Sequence, residues 1–363
     1  MSDVILYHKK ERAENFLANI EGKKPIFVCV IASTETAKIP GLSAAGANPS
    51  ITDYTPPADA ELLLLGKCRC ISGVPVTPDG IPTPALISMS ALRLAEIPIL
   101  VVDAGSRIKP KVPFVDLGGS PGRDVRTGIA VEKVDEVFRN GQILGEQLAR
   151  TSDYLVLGES IPGGTTTALG VLLAMGFNAK GKVSSSMPNN PHSLKIETVE
   201  TGLSKAKIHP GDLREQPLKA IEDFGDPMIA AIAGIVMGVS EKAPILLAGG
   251  TQMTPVLATV ATLRPEVLEH LAIGTTRWII EDSTSDLRDI VSQVGEVPIL
   301  AANVNFGSSR HKGLRAYETG VVKEGVGAGG SVIAAVAKSR GKIPVSRLIL
   351  EIEKNYELLV GTR

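Results

Sequence analysis

Three short stretches carry residues that could do chemistry. In "GESIPGGTTT" (158–167) an acid is followed by two glycines and three threonines, just before an apolar helical run. Free N–H groups and the dipole at a helix start favour an anion there. Gly163 and Gly164 let the backbone come close, and Thr165 and Thr166 add hydroxyl donors. The loop has no lysine to reach a triphosphate's outer charges, so a single phosphate, as on a mononucleotide, suits it better. The same residues would equally turn the chain and cap the helix. Glu159 reads either as a surface carboxylate near a turn or, since it follows a buried strand, as a group that holds a ribose hydroxyl. In "KEGVGAGGSVIAAV" (323–336) Glu324 stands on a glycine-rich turn before a buried helix. A buried glutamate can serve as a base near neutral pH; an exposed turn glutamate is the alternative. Gly325, Gly327 and Gly330 match G-x-G-x-x-G, but only Val321-Val322 precede them, too short a strand for a dinucleotide site. In "WIIEDSTSD" (278–286) Glu281 and Asp282 follow an apolar run and precede a Ser/Thr loop.

The elements that must position these residues show in the hydrophobic pattern. Apolar runs recur at 25–33, 97–105, 153–159, 243–250, 277–282 and 297–304, and none alternates with polar residues. Continuous runs of this kind are buried on both faces, as in a parallel sheet. Helical patterns lie between them. One places Val131, Val134, Phe138, Leu144 and Leu148 near one face. The alternation implies an α/β, doubly wound, mainly parallel sheet. Ligands of such sheets bind beyond the carboxyl ends of the strands. Two C-terminal helices, in "GGSVIAAVAKSRG" and "IPVSRLILEIEKNYELLV", and N-terminal segments are expected to form a smaller helical lobe. Residues 60–310 would then be the large nucleotide-binding domain, and 1–59 with 311–363 the lobe. Residues 34–58, rich in Pro, Gly and Ser, read as an ordered loop or linker.

Composition narrows the function. The chain has 363 residues, a net charge of −1 and 4% aromatic residues, so neither a basic patch nor stacking platforms point to nucleic acid. Cys29, Cys68 and Cys70 cannot build a disulfide framework, and Cys68-Arg69-Cys70 has no partner pair for zinc. The N-terminus is too polar for a signal peptide and no apolar stretch is long enough to span a bilayer. A cytoplasmic protein with no membrane partner is expected. The five histidines are scattered, and the Asn189-Asn190-Pro191-His192 segment reads as a cleft wall or as an ordinary loop.

Two resemblances sharpen the reading. "WIIEDSTSD" resembles the site of transferases that use phosphoribosyl pyrophosphate, where acids grip the ribose hydroxyls and the loop grips the 5′-phosphate. That reading implies a Mg²⁺ requirement. This copy lacks the usual glycines, and Asp282 or Ser283 capping the next helix reads as well. The second resemblance is broader. "IPILVVDAG", "GESIPGGTTTALGVLLAMG", "GDPMIAAIAGIVMGVSEKAPILLAGGTQMTPVLATVA" and "KEGVGAGGSVIAAV", in that order, resemble the nicotinate-nucleotide–dimethylbenzimidazole phosphoribosyltransferase family of cobalamin lower-ligand synthesis. The family's Met-Gly-Ile-Gly-Asn is Ser160 to Gly164 here, and its Arg-containing glycine loop is replaced by "SSSMPNN".

That resemblance implies a Rossmann-like large domain and a homodimer. It implies transfer of phosphoribose from nicotinate mononucleotide to a benzimidazole-type base, with no metal and no cofactor. Glu324 is the implied catalytic base. Glu159, Gly163, Gly164, Thr165, Thr166, Gly249, Gly250, Gly325 and Gly327 are the implied substrate-binding residues. Leu86, Met89 and Ile161 would wall the accepting ring. A non-catalytic nucleotide-binding protein is the remaining alternative.

Overall fold

The protein is described by a computed structural model covering residues 2–45 and 48–361. Among these residues, eight strands form one sheet: β1 Val4–His8, β2 Pro25–Ala32, β3 Ile99–Gly105, β4 Val115–Asp116, β5 Tyr154–Ser160, β6 Ile245–Ala248, β7 Leu271–Thr276 and β8 Ile299–Ala302. Their order is β1-β8-β7-β6-β5-β2-β3-β4. Of these pairs, β1–β8 alone is antiparallel.

Side chains alternate across each strand, so each strand feeds two cores. Val28, Val30, Leu155, Leu157, Leu247 and Ile273 face one layer of helices, which includes Val134–Leu148, Gly164–Ala174, Pro227–Val239 and Thr254–Leu263. Phe27, Cys29, Tyr154, Val156, Leu246 and Ala272 face the other. That second layer gathers helices from both chain ends: Lys10–Ile20, Thr55–Leu65, Ala85–Leu94, Ala328–Lys338 and Val345–Leu359. The architecture is a doubly wound α/β sandwich whose strands are buried on both faces, which is why they read as unbroken apolar runs.

Three sequence expectations are corrected. The run at 277–282 is not a strand: Arg277–Ile280 is a helical turn, and the strand is the preceding "LAIGTT". Small residues fill that strand because the helix Ala328–Lys338 lies directly on it. A Cβ on Gly329 would stand 2.0 Å from the Thr275 carbonyl carbon, and one on Gly330 2.3 Å from Ala248 Cβ. Second, β1 and β2 are strands of the main sheet, so a boundary at residue 59/60 that assigns them to the lobe does not hold. Third, of the two readings of residues 34–58, the ordered loop holds for the described residues and the linker does not. They hold the 3₁₀ turns Glu35–Lys38 and Pro49–Tyr54 and lead into the helix from Thr55; residues 46 and 47 of that segment lie outside the described residues. No helix among the described residues is long and apolar enough to cross a membrane.

The strand order reverses at β2. From β2 the chain winds outward through β3 and β4, then returns to place β5 on β2's other side. The two strands stay paired to Ile31 and Ser160, but the chain leaves β2 for the helix Thr55–Leu65 on one face and β5 for the helix Gly164–Ala174 on the other, so a crevice opens beyond their carboxyl ends.

Candidate active site

A cavity of about 860 Å³, counted with the open solvent at its mouth, occupies that crevice. Strand β5 builds its floor. Alternation along β5 puts Glu159 on the side of Leu155 and Leu157, and Gly158 and Ser160 on the opposite side. The chain then turns at Gly163 and enters the helix Gly164–Ala174. Gly163 is required twice: its φ is +81°, and a Cβ would meet Ala37 Cα at 2.9 Å. The 3₁₀ turn Glu35–Lys38 thus braces the helix start from outside. Gly163, Gly164 and Thr165 line the cavity; Thr166 is fully buried behind them.

The loop's own sequence holds no cation, but the fold supplies one. Lys195, on the helix His192–Ala206, is fully buried and donates from Nζ to Thr165 Oγ1 at 2.6 Å and to the Ser184 carbonyl. Ser184 and Ser185 line the same end of the cavity. Burial pulls the Lys195 ammonium down to about 7; the nearby Lys323 pushes the same way and Asp282 opposes. A phosphate beside Thr165 would favour the charged form.

Glu159 is buried, not a surface carboxylate. Its Oε2 accepts the Ile161 N–H at 2.9 Å and its Oε1 accepts from Gln252 Nε2 at 3.2 Å. Burial raises its pKa well above the ordinary value; the Ile161 N–H opposes this, and the charges of Asp226, Glu324 and Asp59 add to it. Gly249 and Gly250 form the turn after β6 that leads to Gln252, but they lie behind the cavity lining.

Glu324 reaches the same cavity from the other helix layer. Its turn is unusual: Val322, Gly325, Val326 and Gly327 all have positive φ. Positive φ in a β-branched residue is strained and persists only where surroundings fix it. Here the Val322 N–H donates to Ser186 O at 2.9 Å, and Ser88 Oγ donates to Val326 O at 2.8 Å. The Val326 N–H donates to the Glu159 carbonyl at 3.0 Å. That last bond joins the two glutamate turns directly. The Glu324 carboxylate accepts from the Gly325 N–H at 3.0 Å, the Gly329 N–H at 3.3 Å and Thr275 Oγ1 at 3.4 Å. It sits on the N-terminal turn of the helix Ala328–Lys338. Burial pushes its pKa up to about 7, and those donors only partly offset the rise. Gly325 lines the cavity, whereas Gly327 lies beneath it against Ala248 and Gly158.

The remaining sequence candidates divide. Asp282 is locked away: it accepts from Lys323 Nζ at 2.6 Å, Thr284 Oγ1 at 2.7 Å and Asn190 Nδ2 at 3.0 Å. Glu281 is exposed and faces Arg277. Neither lines the cavity, so the acidic pair is not placed to grip a ribose there. Asn190 and His192 tie their loop to Thr284 rather than walling the cleft. Ile161 lines the cavity; Leu86 and Met89 are core residues of the helix Ala85–Leu94 below it.

Two buried ionisable residues stand outside every motif of the sequence: Lys195, behind the cavity lining and bonded to Thr165, and Asp59, which lines the cavity. On the helix His192–Ala206 the buried positions are Lys195, Thr198, Val199, Gly202 and Leu203. A lysine on an inward-facing helical stripe is the signal that could find the first. Asp59 stands in the helix Thr55–Leu65, whose residues 56–63 are all buried, and it lines the cavity.

Residues 87–282, more than half of the chain, match the family model DBI_PRT, described as phosphoribosyltransferase. The chain belongs to that family. It is a phosphoribosyltransferase of this type. Glu324 lies beyond the matched stretch. A "UPF0284 protein" of Methanothermobacter thermautotrophicus is 46% identical over 94% of each chain. Another from Sulfolobus acidocaldarius is 47% identical over 95% of this chain and all of the relative. Among solved structures, CobT from Thermus thermophilus is similar with a TM-score of 0.61 and 17% identity, over 92% of this chain and 90% of that one. A nicotinate-nucleotide–dimethylbenzimidazole phosphoribosyltransferase from the same organism gives a TM-score of 0.59 at 16% identity, over 97% and 94%. At these identities the two structures speak for the fold.

Proposed function

We propose that this phosphoribosyltransferase moves the phosphoribosyl group of nicotinate mononucleotide to a ring nitrogen of a benzimidazole-type base. The products are an α-ribazole 5′-phosphate and nicotinate. One observation carries the reading: Glu159 and Glu324 stand on two turns joined by the Val326–Glu159 hydrogen bond, in one cavity that the Gly163–Thr165 turn also lines, with Lys195 bonded to Thr165 from behind the lining.

The 5′-phosphate sits at the positive end of the helix Gly164–Ala174, beside the Thr165 hydroxyl that Lys195 backs. Glu159, which lines the cavity, lies beside the ribose or the nicotinate ring. The acceptor ring lies against the Glu324 turn. As one ring nitrogen attacks C1′, the C1′–pyridinium bond breaks and its electron pair returns to the nicotinate ring. The proton on the acceptor's other nitrogen passes to Glu324. A base with a pKa of about 7 is half-ionised at neutral pH, which suits this transfer. The leaving ring becomes neutral at its nitrogen, so no pyrophosphate charge has to be stabilised.

The test is nicotinate release from nicotinate mononucleotide, followed by chromatography with and without an added benzimidazole. Release that depends on the base supports the reading. Release at the same rate without a base, or turnover only with phosphoribosyl pyrophosphate and Mg²⁺, removes it. Binding of the mononucleotide without turnover in the presence of any base would leave a non-catalytic nucleotide-binding protein.

A further inference from the structure

Two acids lie inside the otherwise apolar helix Thr55–Leu65, and one of them lines the cavity as well as tying the fold together. Glu61 pins two loops, accepting the backbone N–H groups of Arg69, of Cys70 at 2.8 Å and of Lys111 at 2.8 Å. Asp59 is equally buried but faces the cavity. Its Oδ1 accepts from Thr83 Oγ1 at 2.8 Å and its Oδ2 from Ser160 Oγ at 2.7 Å. Thr83 precedes Pro84, and a Cβ on Gly325 would meet Pro84 Cγ at 3.3 Å. Asp59 therefore lies between the Ser160 turn, to which it is bonded, and the Gly325 turn, against which the acceptor ring would lie in this reading. The walls beside it, Pro75, Val76, Ile81 and Pro84, suit the faces of a flat ring.

Each Asp59 oxygen accepts one hydroxyl and keeps a lone pair. A ring that turned only methyl groups toward it would shut the carboxylate away from solvent with one donor per oxygen and no partner for the remaining lone pairs, which is costly. We propose that Asp59, held by Thr83 and Ser160, reads a hydrogen-bond donor on the edge of the accepting ring. The acceptor is then a heterocycle with an N–H or O–H on that edge, not a dimethylated one. Burial pushes Asp59 up to about 7, so either protonation state presents a polar partner to such an edge.

This inference rests on the phosphoribosyl transfer above and is tested on the full chain with nicotinate mononucleotide and four rings: benzimidazole, dimethylbenzimidazole, hydroxybenzimidazole and adenine. The hydroxyl- or amino-bearing ring should exceed dimethylbenzimidazole in kcat/KM by about tenfold or more, and the two polar rings distinguish a phenolic from an amino edge. Asp59→Ala should bring that ratio to within about twofold of unity. If this variant does not fold, the near-isosteric Asp59→Asn should lower the ratio at least about fivefold. Equal or better use of dimethylbenzimidazole by the wild type overturns the proposal. So does a ratio that the variants leave unmoved, which makes Asp59 a mere tie between helix and strand. If no ring releases nicotinate, the transfer reading fails, and calorimetric binding of the same rings decides for Asp59. Weaker binding of dimethylbenzimidazole by about tenfold supports it, and equal affinities end it.

Discussion

Asp282 and Glu324 look alike as sequence, each an acid at a turn beside a Ser/Thr- or Gly-rich loop, yet the fold gives them opposite chemistry. Burial alone would raise Asp282, but hydrogen bonds from Lys323, Thr284 and Asn190 outweigh it and hold the carboxyl well below the usual range. Among the described residues, Glu324 has only backbone N–H groups and one distant hydroxyl as donors, and burial wins. A carboxylate that faces a buried ammonium at 2.6 Å is a fixed charge in a structural pair. One that faces N–H dipoles and a cavity is poised to take up a proton. The partner, more than the local motif, decides which acid can act as a base.

The largest effect that would sharpen this contrast is at Glu324. Replacing it with glutamine should lower kcat about 10²–10⁴-fold while leaving the Kd for nicotinate mononucleotide within about twofold. In the wild type, kcat should rise with pH through about 7 as Glu324 loses its proton, then level off. The glutamine variant should lose that rise. Single-turnover rates across pH 5.5–8.5, roughly the span in which such a base titrates, read both outcomes. A wild-type rate in the variant would place the base elsewhere and break the comparison.

The next effect concerns stability. The side chains of Lys323 and Asp282 are 2% and 6% exposed, so removing one leaves the other charge buried. Asp282→Ala should cost about 3 kcal/mol in denaturant unfolding. Asp282→Leu with Lys323→Met should recover most of that loss, because a buried pair replaced by apolar groups is often neutral. The pH sign follows from the depressed carboxyl. Its stabilisation is full above the unfolded value of about 3.9 and fades as pH falls toward the folded one. The alanine variant should therefore lose less stability than wild type between neutral pH and about pH 3. An unchanged midpoint for Asp282→Ala would show that the pair is not the structural one.

How much of this is legible in the sequence depends on where the partners come from. The phosphate turn and the Glu324 turn each carry their own signature, because a glycine must precede a helix that approaches a ligand or a strand closely. The strand "LAIGTT" hides behind the more apolar "RWIIED" because bulk marks a strand only when no helix presses on it. Here Gly274, Gly329 and Gly330 bring backbone against backbone, and the bulky Trp278 and Ile279 belong to the next turn. Glu159 keeps a surface alternative in the sequence because its burial is supplied by Gln252, Ile161 and the Glu324 turn, the last of these 165 positions along the chain. Lys195 lies 30 residues from Thr165, and local spacing cannot report such a meeting.

Lys195 extends the comparison to a cation. Unlike Lys323, it has no carboxylate within salt-bridge distance among the described residues, and burial pulls it down to about 7. It is charged below that value, so the phosphate should bind best at lower pH and KM for the mononucleotide should rise as pH passes about 7. Lys195→Met should raise that KM about 10- to 100-fold, the value of one hydrogen bond to a charged group. The 5′-dephosphorylated riboside should be handled alike by both proteins. If the riboside loses as much as the mononucleotide, Lys195 acts through packing of the Thr165 turn and not through the phosphate.

The smallest expected effect tests whether the Glu324 turn, and not just its carboxylate, creates the base. Gly327 has φ +65°, and a Cβ there would stand 3.0 Å from Ala248 Cβ and 3.2 Å from Gly158 Cα. The contact with Gly158 is backbone on β5, which cannot move aside as a flexible side chain would. Gly327→Ala should cost about 1–2 kcal/mol of stability from the left-handed backbone alone. Relief of the clash would lift the helix start Ala328–Lys338 off the sheet and carry the Gly329 N–H away from the Glu324 carboxylate. Losing that donor removes a group that favours the ionised form, so the rise of kcat with pH should shift to higher pH. A destabilised variant with an unshifted profile would mean that burial by the cavity walls, independent of the turn, sets the basicity of Glu324.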